Sequence, residues 1–191
     1  MGYYKFRNGD TKTYTLVPSE EKQLFTDSIS DRIHINTKFM GCEIGVLNGE
    51  CSGFFINTFE NLTLIGIDPI IPDSMESSLV GNVEKIYQNT NNSSRFIFVQ
   101  DYSFNLNFST DYFDFIFIDG DHTYDAVKSD YLKYKNYLKR GGLLFFHDSR
   151  MNRGGANFHV GSSKLVDEVI ETDKELDLIG EAFSLTCFIK N

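Results

Sequence analysis

The sequence predicts an α/β fold, a doubly wound and mostly parallel β-sheet with helices on both faces. Short apolar runs rich in aromatic and β-branched residues alternate with amphipathic segments of helical period, and the runs end in glycine or polar residues. The best defined unit, at 113–149, is a strand, a helix and a second strand, an order that makes a right-handed parallel pair. A chain of 191 residues fits a single domain, 1–191.

Composition limits the partners and the compartment. The formal net charge of −9 at pH 7 argues against a nucleic-acid partner and favours a small-molecule ligand. No apolar stretch reaches the roughly 20 residues of a membrane span, and the amino terminus lacks the apolar core of a secretion signal. We therefore expect a cytoplasmic protein without a membrane partner. Residues 1–17 are interpreted as a flexible arm. The sequence does not decide whether the chain forms a homo-oligomer.

The first half of the chain is predicted to alternate helices and strands. The helix near residue 18 begins at a proline followed by polar residues, and glycines separate the next strand from its helix. Polar and proline-containing segments bound the later elements. The predicted elements are a helix from Pro18, a strand at 39–46, a helix at 51–60, a strand at 62–68, a helix from Pro72 and a strand at 95–100.

The second half begins with a strand at 113–118, followed by a helix whose apolar residues recur every three or four positions from Tyr124 to Leu138. Lys139-Arg140 is predicted to lie in the last turn of this helix, and Gly141-Gly142 to end it. The rest of the chain is predicted to form a strand at 143–146, a lid-like loop at 150–161, a helix at 162–172 and a terminal antiparallel pair with a turn near 180–183.

Two polar clusters end the strands of the 113–149 unit. Asp119-Gly120-Asp121-His122 follows the first strand, and His147-Asp148 follows the second. The carboxyl ends of parallel strands meet at one edge of a sheet, and ligands of open α/β sheets bind there. As alternatives, Asp121 could cap the following helix, His122 could be an ordinary residue of the helix start, and His147-Asp148 could be a plain strand end.

A glycine turn follows the strand at 39–46. Glu43, Gly45 and Gly49 form an ExGxxxG pattern that differs from the dinucleotide fingerprint GxGxxG, and a carboxylate at this point suits a cation better than a phosphate. Asp68, 25 residues after Glu43, ends the next strand, where a carboxylate can accept both hydroxyls of a ribose. These residues predict a nucleoside site.

This combination resembles the class I S-adenosylmethionine-dependent methyltransferases. The resemblance implies a Rossmann-like fold of seven strands in the order 3-2-1-4-5-7-6, with an antiparallel last strand. It implies that the ExGxxxG residues frame the methionine end of the cofactor and that Asp68 holds the ribose. The turn of Asp101, Tyr102 and Ser103 would border the adenine, and Asp119 would lie beside the cofactor.

Residues 118–148 further resemble the metal-assisted branch that methylates oxygen atoms of small molecules and sugars. The resemblance implies that Asp119, His147 and Asp148 bind a divalent cation and that His122 takes the acceptor's proton. His147 departs from the pattern, which has a carboxylate there. Oxygen ligands suit Mg²⁺ and an imidazole favours Mn²⁺, while an imidazole with an ordinary pKa of about 6.5 can act as a general base near neutral pH.

Two other functions stay open at this point. A nicotinamide-dependent oxidoreductase would use the same fold, although the missing GxGxxG argues against it. A nucleoside-binding protein that has lost turnover would keep the cofactor turn. The sequence does not identify the acceptor, because the segments that would choose it are irregular.

Overall fold

A computed structural model describes residues 18–70, 83–150 and 160–191, and within these ranges seven strands form one sheet. The strands are β1 (Phe39–Ile44), β2 (Leu62–Ile67), β3 (Phe96–Val99), β4 (Phe113–Ile118), β5 (Leu138–Phe146), β6 (Leu176–Ala182) and β7 (Leu185–Lys190). Their order across the sheet is β3-β2-β1-β4-β5-β7-β6. β1 to β5 run parallel, and β7 pairs antiparallel with both β5 and β6. The predicted fold class and strand order are confirmed.

Helices cover both faces of the sheet, each with its own apolar core. The helices are α1 (Ser19–Arg32), α2 (Glu50–Thr58), α3 (Val83–Asn89), α4 (Tyr124–Tyr134) and α5 (Val160–Thr172). Buried residues of α1, α2 and α3 share one core, and those of α4 and α5 share the other. This division explains why the strands between them are apolar on both faces.

Phe25 fixes α1 against the sheet. Its ring is fully buried, and its centroid lies 4.9 Å from that of Phe55, 5.0 Å from that of Phe117 and 4.7 Å from that of Phe145. Aromatic pairs at these separations stabilise packing beyond the area they bury. The first turn of α1 is thereby held near the carboxyl ends of β4 and β5.

The predicted end of α4 is wrong. The helix ends at Tyr134, a short 3₁₀ turn follows, and Leu138 begins β5 by pairing with Phe113. Lys139 therefore lies in the strand, where its ammonium contacts the carboxylate of Asp114 at 2.8 Å. Leu138 continues the helical period, but it is fully buried in the sheet core, and this tertiary contact outweighs the local pattern. Gly141, with φ +76°, allows the irregular pairing within β5.

Some predictions lie outside the described residues. These are the arm at 1–17, the helix start at Pro72 and most of the lid-like loop at 150–161. The single-domain prediction stays a prediction. Among the residues that the structure does describe, no helix is both long enough and apolar enough to cross a membrane.

Candidate active site

The turn between β1 and α2 requires glycine at two positions. Gly45 has φ +89°, and a Cβ there would lie 2.2 Å from the backbone oxygen of Asp119. Gly49 has φ +76° and precedes α2, and a Cβ there would lie 3.0 Å from the Cα of Ile86. Both backbone conformations are ones that residues with side chains rarely adopt. The turn therefore lies directly against the end of β4.

Glu43 lies beneath this turn and is 1% exposed. The hydroxyl of Ser52 on α2 donates a hydrogen bond to its carboxyl group. Burial raises the pKa of Glu43 well above its ordinary value, and the nearby charges of Asp119 and Asp68 raise it further, against the lowering effect of Ser52. A cation bound at the turn would favour the ionised form of this carboxyl group.

Asp68 fixes the turn from the end of β2. Its Oδ2 accepts hydrogen bonds from the backbone N–H groups of Val46 and Leu47, both at 2.8 Å, and its Oδ1 accepts one from Ile70 at 2.7 Å. Hydrogen bonds to a carboxylate are stronger than those between neutral groups. The carboxylate therefore holds the backbone beside the predicted nucleoside position, and its contact with a ribose stays a prediction.

The predicted adenine turn follows β3. Asp101 accepts hydrogen bonds from the backbone of Tyr102 at 2.7 Å and from the side chain of Asn105 at 2.8 Å. The hydroxyl of Ser103 donates to Asp130 of α4, and burial raises the pKa of that aspartate. Sequence reasoning missed Asp130, although its position three residues after Val127, on the buried face of α4, is a signal that could have found it.

Asp119, His122 and Asp148 converge beside the glycine turn. Nε2 of His122 lies 3.1 Å from Oδ2 of Asp148 and 3.5 Å from Oδ1 of Asp119. Burial by itself would lower the pKa of His122, but its contacts with the two carboxylates raise it. Burial would raise the pKa of Asp119, but the charge of His147 and the hydrogen bonds of both histidines hold it below its ordinary range.

His147 lies between two carboxylates. Its Nδ1 is 2.9 Å from Oδ1 of Asp119, and its Nε2 is 3.0 Å from Oε2 of Glu21 in α1. Burial would lower its pKa, but the attraction of Asp119 and the hydrogen bonds raise it well above the ordinary value. Sequence reasoning missed Glu21, which has the pattern of an acid in the first turn of a helix and lies 126 positions from His147.

The site offers ligands that fit a divalent cation. Asp119, His122 and Asp148 each present one ligand atom, and these atoms lie within 4.8 Å of one another. Two carboxylate oxygens suit Mg²⁺, and an imidazole nitrogen extends the choice to Mn²⁺. The structure thus brings His122 together with the two aspartates, whereas the ring nitrogens of His147, a predicted ligand, contact the carboxylates of Asp119 and Glu21. The metal-binding role of His147 stays a prediction.

The sheet order, the ExGxxxG turn and the acidic edge together define a class I methyltransferase. The chain belongs to a methyltransferase family, since a family model described as a methyltransferase domain matches residues 42–149. The matched range contains the glycine turn, the end of β2 and both polar clusters. The predicted enzyme class, an S-adenosylmethionine-dependent methyltransferase, is confirmed.

Known proteins resemble the chain at low identity. An uncharacterized protein of Acanthamoeba polyphaga mimivirus is 28% identical over 133 residues, which cover 66% of this chain and 59% of that protein. A candidate caffeoyl-CoA O-methyltransferase from Staphylococcus aureus superposes with a TM-score of 0.66 at 18% identity, covering 93% of this chain and 86% of that one.

Two further solved structures share the fold. The MycE methyltransferase of the mycinamycin biosynthetic pathway, in complex with Mg and S-adenosylhomocysteine, has a TM-score of 0.62 at 15% identity over 93% of this chain and 51% of its own. The N-methyltransferase NodS from Bradyrhizobium japonicum has a TM-score of 0.57 at 19% identity, covering 88% of this chain and 92% of its own. These likenesses show the fold.

Proposed function

We propose that this protein transfers a methyl group from S-adenosylmethionine to a hydroxyl oxygen of a small acceptor, a sugar or similar molecule, with the assistance of a divalent cation. The observation that carries the proposal is the contact between the two halves of the site. The glycine turn approaches the backbone of Asp119 so closely that no side chain fits at Gly45. A methyl group presented by the turn would therefore face the cluster of Asp119, His122 and Asp148.

The cofactor half consists of the turn and its neighbours. Glu43 would counter the positive charges of the cofactor's methionine end, while Gly45 and Gly49 allow the backbone to approach it. Asp68, at the end of β2, would hold the ribose. The turn that contains Asp101, Tyr102 and Ser103 would border the adenine.

The acceptor half supplies positioning and a base. The acceptor oxygen would form a bond to the methyl carbon as the bond from that carbon to sulfur breaks, and the hydroxyl proton would pass to the His122 imidazole. Asp148 and Asp119 lie 3.1 and 3.5 Å from Nε2 of this ring, so they orient it and stabilise its protonated form. Asp119 and Asp148 would also hold the cation, which when bound stabilises negative charge on the acceptor oxygen.

The comparisons support this proposal to different degrees. MycE was solved with Mg and S-adenosylhomocysteine, and it has the same fold. NodS also has the fold and is an N-methyltransferase, so the fold alone does not identify the acceptor atom. The choice of oxygen rests on the base and the two carboxylates, which suit the removal of a hydroxyl proton.

The test combines cofactor binding with turnover. We expect calorimetry to detect binding of S-adenosylhomocysteine. We also expect the protein to form S-adenosylhomocysteine from S-adenosylmethionine only when an acceptor is present, supplied from a panel of catechols, sugars and other small hydroxylated compounds. His122→Asn should lower turnover by roughly 10²- to 10⁴-fold, the usual contribution of a general base, without loss of cofactor binding. His34→Asn is the matched control, because His34 is exposed and lies outside the site.

Other results would point to the alternatives. Stabilisation by NAD in place of S-adenosylhomocysteine would indicate an oxidoreductase. Cofactor binding without turnover in the whole panel, and without an effect of His122→Asn, would indicate a nucleoside-binding protein. The cytoplasmic location and the absence of a nucleic-acid partner stay predictions.

A further inference from the structure

Glu21 is a fully buried carboxylate to which the proposed reaction gives no role. Its Oε1 accepts hydrogen bonds from the backbone N–H and the hydroxyl of Ser184, at 2.9 and 2.7 Å. Its Oε2 lies 3.0 Å from Nε2 of His147. Both oxygens of Glu21 are therefore directed to groups at the carboxyl edge of β5.

The His147 ring joins Glu21 to the site. One ring nitrogen faces Glu21, and the other lies 2.9 Å from Oδ1 of Asp119. Both ring nitrogens of His147 are thus in contact with carboxylates. A metal ion at either nitrogen would have to displace one of these two contacts.

Holding these charged groups in the interior costs free energy. Glu21 is 0% exposed and His147 is 7% exposed, and well-packed apolar residues at such positions are often as stable as a buried ion pair or more so. α1 is at the same time fixed on the sheet through the rings around Phe25. A rigid helix thus holds the Glu21 carboxylate against His147. A side chain held by a rigid helix can position a neighbouring functional group accurately.

We propose that Glu21 is a positioning residue: it fixes one side of the His147 ring, the other side of the ring holds Asp119, and His147 thereby orients Asp119 and does not itself bind the metal. This inference rests on the proposed function, in which Asp119 faces the acceptor and the cation. It removes His147 from the predicted ligand set and leaves Asp119 and Asp148 as the ligands, with His122 beside them as the proposed base.

The first test exchanges the imidazole of His147 for an acidic ligand. The double substitution Glu21→Gln and His147→Glu removes the imidazole and its outer carboxylate and adds an oxygen ligand beside Asp119 and Asp148. We expect calorimetry with Mn²⁺ alone to show that the double variant binds the ion at least tenfold more tightly than the wild-type protein does. Mn²⁺ should also raise the melting temperature of the double variant more than that of the wild-type protein. Binding no tighter than wild type would overturn the proposal.

The second test examines the positioning role. Glu21→Gln keeps the side-chain volume but removes the charge that fixes His147, and we expect the dissociation constant for Mn²⁺ to rise roughly tenfold, as for other outer-shell partners of ligating carboxylates. Glu20→Gln is the matched control, because Glu20 is the exposed neighbour in the same turn. Equal affinities of the two variants would contradict the proposal. If Glu21→Gln does not fold, Ser184→Ala, which removes one donor to Glu21, should shift the affinity in the same direction.

Histidine ¹⁵N NMR tests the ring directly. We expect both nitrogen signals of His147, identified by their loss in His147→Gln, to keep their chemical shifts when Mg²⁺ is added. A large shift of either nitrogen signal, as for a nitrogen that binds the metal, would overturn the proposal. Binding of S-adenosylhomocysteine by the same samples separates the two hypotheses: its absence in the wild-type protein argues against the proposed function, whereas the Mn²⁺ and NMR results decide the role of Glu21.

Discussion

The two halves of the sheet edge differ in what holds them together. In the cofactor half, Asp68 binds three backbone N–H groups of nearby turns, and Gly45 packs without a side chain against the backbone of Asp119. In the acceptor half, charged side chains hold one another, with Glu21 of α1 and His147 after β5 completing the contacts of Asp119. A half defined by the backbone suits a constant cofactor, and a half built from side chains suits an acceptor that varies.

This difference predicts where each half is vulnerable. A substitution in the acceptor half leaves a buried charge without its partner, which costs more free energy than a lost neutral hydrogen bond. A substitution in the cofactor half acts through backbone strain and steric overlap. The variants below separate these two causes.

Asp119→Asn should have the largest effect on stability. The substitution removes the negative charge that faces both His122 and His147, and breaking a buried charge pair costs roughly 3 to 5 kcal/mol. The measurement is urea unfolding at neutral pH. Asp114→Asn, which breaks the more exposed contact with Lys139, is the control and should cost about 1 kcal/mol or less. Similar losses in both variants would show that the acceptor half does not depend on its buried charges.

Gly45→Ala should have the next largest effect. The new methyl group would meet the backbone oxygen of Asp119 at 2.2 Å, at a φ of +89°, and we expect a loss of roughly 3 kcal/mol together with loss of S-adenosylhomocysteine binding. Gly141→Ala is the matched control: its φ is +76°, but a Cβ there meets nothing within 4 Å, so only the backbone strain of about 1 to 2 kcal/mol remains. A Gly45→Ala protein as stable as Gly141→Ala would disprove the close contact between the halves.

Glu43→Gln should have the smallest effect and the opposite sign. The raised pKa of Glu43 means that the folded protein binds its proton more tightly than the unfolded chain, so wild-type stability falls as pH rises from about 4.3 toward the folded-state pKa. The neutral amide lacks this penalty, and we expect the variant to be more stable than wild type at pH 7 and equal to it below about pH 4.

The same substitution should weaken cofactor binding, because the amide cannot become a carboxylate that pairs with the ammonium group of the cofactor's amino-acid end. Urea unfolding across pH and calorimetry with S-adenosylhomocysteine measure the two effects. Glu60→Gln, at an exposed position, is the control for both. A Glu43→Gln protein that is less stable than wild type at pH 7 would show that Glu43 is ionised in the folded state.

Much of the fold and of the site was predictable from the sequence, because apolar runs and glycine turns act locally. The end of α4 was not, since Leu138 satisfies the helical period and the strand equally, and only its burial in the sheet decided between them. Asp130 and Glu21 were also missed. Both are acids on helices, and the groups they contact, Ser103 and His147, come from distant parts of the chain.

The sequence by itself predicted the parallel units and which polar residues share an edge, because parallel strands joined by helices place their carboxyl ends side by side; the full strand order was implied by the family resemblance. It therefore brought Asp119, His122, His147 and Asp148 to one place next to the ExGxxxG turn. Only the tertiary structure decided how these side chains pair. The orientation of the His147 ring depends on Glu21, which the aromatic packing of α1 delivers from another part of the chain, and no local pattern encodes such a contact.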